Sequence, residues 1–199
     1  TYSYKVTKIN NQTRCQNFDS LLVSVKPLPI AIAASSDTLA VCSGLDLQLG
    51  SGSLNAHNYA WTPDTSLSSP GISNPVLNVT NPTQSEVFLT YSVNVLNQLT
   101  GCRNADSVVV QVNPLPIVPL AYADTMVCSR DTIFIGGNST GGYGYSWSPA
   151  LNLADSSQSL TGFSDVNNSD VPVVYSYILE VTIGETNCKN SSPLQVQVN

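Results

Sequence analysis

Charge is what this sequence has least of. Only 10% of its 199 residues are Asp, Glu, Lys or Arg, against about a quarter in an ordinary soluble domain, and Ser, Thr, Asn and Gln take the surface role instead. Seven Lys plus Arg stand against thirteen Asp plus Glu, a net charge of -6. Nowhere do the basic residues gather into a patch that could neutralise phosphates, so no nucleic acid is expected as a partner. The single histidine, His57, has no nucleophile paired with it in the sequence, and no paired-carboxylate arrangement stands out. No enzymatic activity and no catalytic residue are therefore expected. The chain also lacks Cys-x-x-Cys and any histidine near a cysteine, which argues against a zinc site and against thiol redox catalysis. No window approaches the eighteen or so consecutive apolar residues that cross a bilayer, so no membrane insertion is expected. The N-terminus lacks the basic, apolar and small-residue order of a signal peptide, and the chain begins at Thr1. It reads as an excerpt whose export signal and anchor lie elsewhere.

What the sequence does have is a repeat. Cys42 and Cys128, each in a Val-Cys-Ser context, lie 86 positions apart, and so do Cys102 and Cys188. Trp61 and Trp147 keep the same offset, each with a tyrosine two residues before it (Tyr59, Tyr145) and a proline two after (Pro63, Pro149). Leu67 and Leu153 continue the match. The closing half occurs three times: Tyr4, Tyr91 and Tyr177 each precede a cysteine (Cys15, Cys102, Cys188) by eleven positions, and Val25, Val112 and Val198 follow it by ten. Pro-Leu-Pro-Ile at 27–30 and 114–117 reads as a linker. The organisation that follows is the last two strands of a preceding, truncated repeat at 1–26, a full repeat at 27–113 and another at 114–199.

Within each repeat the apolar residues alternate with period two, the mark of strands with one buried face. Leu45, Leu47 and Leu49 do so, then Tyr91, Val93 and Val95, then Val108, Val110 and Val112; Tyr175, Tyr177, Leu179 and Val181, then Leu194, Val196 and Val198, repeat the pattern. No segment sustains a helical period, and Gly, Pro, Asn and Ser clusters punctuate the runs as turns do. About seven short strands in such a length is the density of an immunoglobulin-like β-sandwich. The expected fold is therefore all-β, with tandem sandwiches in a linear stalk. Trp61 and Trp147, with Tyr91 and Tyr177, are the expected core markers, the tryptophans filling the space between sheets.

The order Val-Cys-Ser-Gly, Tyr-Ala-Trp-Thr-Pro or Tyr-Ser-Trp-Ser-Pro, Tyr-Ser-Val-Asn-Val, Gly-Cys and Val-Gln-Val-Asn-Pro-Leu-Pro resembles the tandem PKD-like or Ig-like repeats of very large surface proteins of Bacteroidota. The resemblance covers essentially the whole chain. It implies a role in adhesion, gliding or filament formation, on proteins exported by the type IX secretion route. The second repeat departs in reading Val-Cys-Ser-Arg-Asp.

Five cysteines in recurrent positions point to an oxidising compartment outside the cytoplasm. Two pairing rules treat every repeat alike. One joins Cys42 to Cys102 and Cys128 to Cys188, leaving Cys15 to a partner elsewhere; it satisfies the most thiols and is the leading expectation. The other joins the opening cysteine of one repeat to the closing cysteine of the next, as Cys42 to Cys188, and the placement of the two loops at opposite ends of an immunoglobulin-like sandwich speaks for it as the second expectation. Asp155, Asp165 and Asp170 offer oxygen ligands of the kind calcium takes, without the spacing of a calcium loop, and the plainer reading is a solvated loop with no cofactor. Sequons occur at Asn11, Asn78, Asn138, Asn167 and Asn190.

The function these residues favour is a structural repeat segment of an extracellular surface adhesin or filament, a semi-rigid spacer whose expected partners are adjacent repeats, with further copies in a homo-oligomer or filament. The surface or cell ligand is not readable. Two alternatives differ in class: a ligand-binding module that engages glycan or protein through the Gly- and Tyr-rich stretch before Trp147, and an accessory domain of a secreted enzyme.

Overall fold

A computed structural model describes residues 1–121 and 124–199, and all of its regular structure is β. The first element is a hairpin of β1 (Tyr2–Ile9) and β2 (Gln16–Val23), antiparallel from Tyr2 opposite Val23 to Ile9 opposite Gln16. Its turn is set by Asn10, whose Oδ1 accepts from the Gln12 and Thr13 amides at 3.0 and 3.2 Å. Both faces of the hairpin are open to solvent; Tyr4 is 60% exposed.

Residues 27–113 carry β3 (Thr38–Cys42), β4 (Asp46–Gln48), β5 (His57–Thr62), β6 (Val76–Asn78), β7 (Val87–Asn97) and β8 (Arg103–Asn113). They form one sheet in the order β3-β8-β7-β5 and a smaller one of β4 and β6. Residues 114–199 carry β9 (Asp124–Val127), β10 (Thr132–Gly136), β11 (Tyr143–Ser148), β12 (Leu160–Ser164), β13 (Val173–Ile183) and β14 (Lys189–Val198). Here the sheets are β11-β13-β14-β9 and β10-β12. In both, a short first strand runs parallel to the last, Thr38–Cys42 along Val109–Asn113 and Asp124–Val127 along Gln195–Val198, while β5 on β7, β11 on β13 and β13 on β14 are antiparallel. This is the immunoglobulin-like strand order, and the fold is all-β tandem sandwich. By Cα proximity the chain forms two compact units. One comprises Thr1–Asp37, Gln48–Val76 and Thr90–Val108; the other comprises Thr38–Leu47, Leu77–Leu89 and Val109–Asn199.

Most of the alternating residues face inward, but of the first run only Leu49 is fully buried, Leu45 being 58% exposed. Val93, Val95, Val108, Val110 and Val112 are buried, as are Leu179, Val181, Leu194, Val196 and Val198. In residues 114–199 the core closes on Trp147, Phe163 and Tyr177; the Trp147 and Phe163 rings both meet Tyr177 edge-on, at centroid distances of 6.4 and 5.9 Å. Burial pushes the Tyr177 phenol up to about 12, with Tyr175 and Asp165 adding to the shift. Its hydroxyl is satisfied by donating to the Leu151 carbonyl at 2.7 Å.

Each tryptophan is 3% exposed and spends its indole N–H the same way, Trp61 donating to Ile72 O and Trp147 to Gln158 O, both at 2.9 Å. The proline two residues on is cis in both cases. Beside each ring lies a glycine at positive φ, Gly50 at 73° and Gly136 at 99°. A Cβ at either would stand 1.9 Å from a backbone carbonyl oxygen, Ser73 or Ser159, and 3.1 Å from the indole. The obstacle is backbone, so only glycine fits. Gly136→Ala is therefore expected to lower stability by about 2–4 kcal/mol, read as a fall in the urea midpoint followed through Trp fluorescence. An unchanged midpoint would show that the contact yields easily.

Candidate functional site

The feature with the clearest chemistry is the disulfide between Cys42 and Cys188, residues 146 apart in sequence with Cα atoms 5.5 Å apart, inside the usual range for such bonds. It joins the opening cysteine of the 27–113 repeat to the closing cysteine of the next, and both cysteines belong to the same compact unit. The within-repeat pairing, Cys42 to Cys102 and Cys128 to Cys188, does not occur: Cys15, Cys102 and Cys128 are free. The register explains why. β9 runs parallel to β14 with Val127 opposite Val198, so Cys128 follows at the far end of β14, whereas Cys188 precedes its first residue, Lys189. The ten-residue strand between them spans about 30 Å at ~3.3 Å per residue, well beyond disulfide reach.

Local hydrogen bonding fixes each cysteine. After Cys42 the chain turns sharply: Ser43 N donates to Asn113 O at 2.9 Å and Leu45 N to Cys42 O at 3.1 Å, with Gly44 at φ 77°. An asparagine latches this corner. Asn81 N donates to Ser43 Oγ at 2.7 Å, Asn81 Nδ2 donates to Ser85 O and Val112 O, and Asn81 Oδ1 accepts from both the amide and hydroxyl of Thr83. Asn81 is buried, so the amide is spent on the backbone rather than on a ligand. Cys188 is placed by a tight turn instead. Ile183 N donates to Cys188 O at 2.9 Å and Asn187 N to Ile183 O at 2.8 Å, with Asn187 at φ 57° and Thr186 Oγ1 accepting from Cys188 N.

The remaining sequence candidates are not brought into a site. His57 holds Asn55 O through Nδ1 at 2.7 Å. Asp155 accepts from the amide and hydroxyl of Ser157 and from Gln158, contacts that hold its carboxyl below the usual range. Asp165 accepts the Tyr175 hydroxyl, and among the described residues no three His, Cys, Asp or Glu side chains gather. In the Gly- and Tyr-rich stretch, Tyr145 Oη accepts from Thr140 N at 2.7 Å, as Tyr59 Oη accepts from Leu54 N at 2.9 Å. These tyrosines close their loops. Three of the sequon asparagines are also structural: Asn78 Nδ2 donates to Gly44 O and Asp46, Asn167 Nδ2 to Val171 O and Val198 O, and Asn190 Nδ2 to Pro116 O. The hydroxyl in the Asn167 sequon, Ser169, is turned back onto Asn167 Oδ1. The latch pair Asn81 and Asn167 went unread as such in the sequence. Its signal is the shared offset of 38 positions from Ser43 and Ser129.

No family model matches this chain, and no curated protein does. Among solved structures, a three-domain immunoglobulin fragment of titin is similar at 13% identity, covering 99% of this chain and 74% of the other, with a TM-score of 0.37. The N-terminal eight Ig domains of a Down syndrome cell adhesion molecule are similar at 15% identity over 99% of this chain and 28% of theirs, TM-score 0.42. A three-domain fragment of a mouse clustered protocadherin stands at 8% identity, 99% and 76% coverage, TM-score 0.32. The fold assignment rests on the strand order of the chain itself.

A bond closing a loop of this length restricts the unfolded chain by about 5 kcal/mol in the chain-entropy view. Cys188→Ser is therefore expected to lower the urea midpoint substantially, and dithiothreitol should bring the parent protein down to the variant's level while leaving the variant unchanged. A variant as stable as the oxidised parent would show that the bond contributes nothing to the fold.

Proposed function

We propose that the chain is a structural segment of an extracellular surface adhesin or filament, whose repeats at 27–113 and 114–199 act as a semi-rigid spacer. The observation that carries this reading is the covalent staple between consecutive repeats, Cys42 to Cys188. A bond that closes one domain on itself stabilises that domain; a bond that reaches the next repeat also limits how far the two can be drawn apart. The Pro-Leu-Pro at the junction works in the same direction, because each ring fixes a backbone angle. A disulfide belongs to an oxidising compartment, in line with a location outside the cytoplasm, at the cell surface. The resemblance of its motif order to that of large Bacteroidota surface proteins supports adhesion or motility as the setting and type IX secretion as the route.

Immunoglobulin-like frames also present ligand-binding loops, and here the stretch before Trp147 leaves Tyr143 half-buried. The two readings separate on a glycan array and a panel of polysaccharide and peptide substrates. The spacer reading expects the purified oxidised chain to give a featureless array and no hydrolysis. Specific glycan binding lost in Tyr143→Ala would replace it with the binding-module reading, and hydrolysis would overturn it outright.

A further inference from the structure

The Cys42–Cys188 bond is made from two local frames, and both recur elsewhere in the chain around cysteines that are free. The opening frame is copied at Cys128. Ser129 N donates to Asn199 O at 2.9 Å, as Ser43 N does to Asn113 O at 2.9 Å, and Asp131 N donates to Cys128 O at 3.0 Å, as Leu45 N does to Cys42 O at 3.1 Å. Arg130 takes the positive φ of Gly44, 75° against 77°. The latch is copied as well, with Asn167 N on Ser129 Oγ at 3.0 Å and Asn167 Nδ2 on Val198 O.

The closing frame is copied twice. At Cys102, Asn97 N donates to Cys102 O at 3.0 Å, Gly101 N to Asn97 O at 2.8 Å, and Cys102 N to Thr100 Oγ1 at 3.3 Å. At Cys15 the same three bonds measure 2.9, 2.7 and 3.5 Å. The residue before each cysteine has positive φ throughout: Arg14, Gly101 and Asn187 at 60°, 73° and 57°. Cys15 and Cys128 are exposed and Cys102 partly so, whereas bonded Cys188 is wholly buried.

We propose that Cys128, Cys102 and Cys15 are half-sites for further staples of the same kind, each taking a cysteine of another repeat of this type. Cys128 is an opening half-site and bonds the closing cysteine of a repeat that follows its own. Cys102 and Cys15 are closing half-sites and bond the opening cysteine of a repeat directly before theirs. The array is thereby stapled at every junction, each repeat bonded to the one before it and the one after it. Each staple forms by oxidation of two thiols: one sulfur–sulfur bond is made, the sulfur–sulfur bond of a small-molecule disulfide such as oxidised glutathione is broken, and two electrons and two protons pass from the protein to it, leaving two glutathione thiols. The inference rests on the tandem-spacer reading for the succession of repeats, and on the paired frames for the chemistry.

The test supplies the missing neighbour. A second copy of residues 114–199, marked by Ser191→Thr, is fused directly after Asn199, which reproduces the Asn113–Pro114 junction. The protein is folded in a glutathione redox buffer. The chain has five cysteines, of which three are free, and the added copy brings two more. We expect the free-thiol count to stay at three, and a non-reducing peptide map to join Cys128 to the marked peptide while Cys42 stays with Cys188. Adding Cys128→Ser should leave the marked cysteine open to alkylation. The complementary fusion places the copy between Lys26 and Pro27, where its opening cysteine should capture Cys102. Five free thiols in both fusions, with both folded by near-ultraviolet circular dichroism, would overturn the proposal. So would a map pairing Cys128 with Cys102 or Cys188. The glycan array reads the spacer function independently, so a featureless array with five free thiols would fail the half-sites and leave the spacer standing.

Discussion

One bond, between sulfurs on residues 146 apart in sequence, decides which parts of this chain tension can separate. Everything from Cys42 to Cys188 lies inside the loop that it closes, including β5, β7, β8, β11 and β13 with their buried valines, Tyr91, Tyr177 and both tryptophans. A pull on the two ends enters through the residues before Cys42 and leaves through those after Cys188. Most of the hydrophobic core therefore sits behind a covalent bond, while the segments in the load path are those outside the loop, β1 to β3 and β14, the last with the buried Leu194, Val196 and Val198. For a chain with few charges and modest cores this matters, because burial of apolar area stabilises each domain only marginally against conformational entropy.

The bond forms because two kinds of local frame hold cysteines at fixed places, and neither depends on the sulfur. The opening cysteine ends a strand that runs parallel to the last strand of its own repeat, and the asparagine latch pins the following corner to that strand's end. The closing cysteine ends a tight turn whose positive-φ residue reverses the chain between the two longest strands. The two lie at opposite ends of one sandwich and so cannot meet within it.

Much of this was legible in the sequence, and the part that was not has a physical reason. The period of 86, the alternation along the strands and the paired Trp, Tyr and Pro positions all report local structure, which sequence encodes directly. The fold class followed from them. The pairing of cysteines did not, because both rules repeat with the same period and counting satisfied thiols leads to the other rule; the parallel register of β9 on β14 decides between them, and that is a tertiary fact. The asparagine latch was hidden for a related reason. Asn167 carries the outward form of a glycosylation sequon, and Asn81, followed by proline, does not, yet the two make the same bonds to the backbone.

The central claim is that the Cys42–Cys188 bond carries load between repeats, and single-molecule extension between tethers at Thr1 and Asn199 tests it most directly. With the bond intact, complete unfolding should release only the residues outside the loop. Adding a reductant under force should then free the 146-residue span, a further extension of about 500 Å at ~3.5 Å per residue. Equal total extensions with and without reductant would contradict the account.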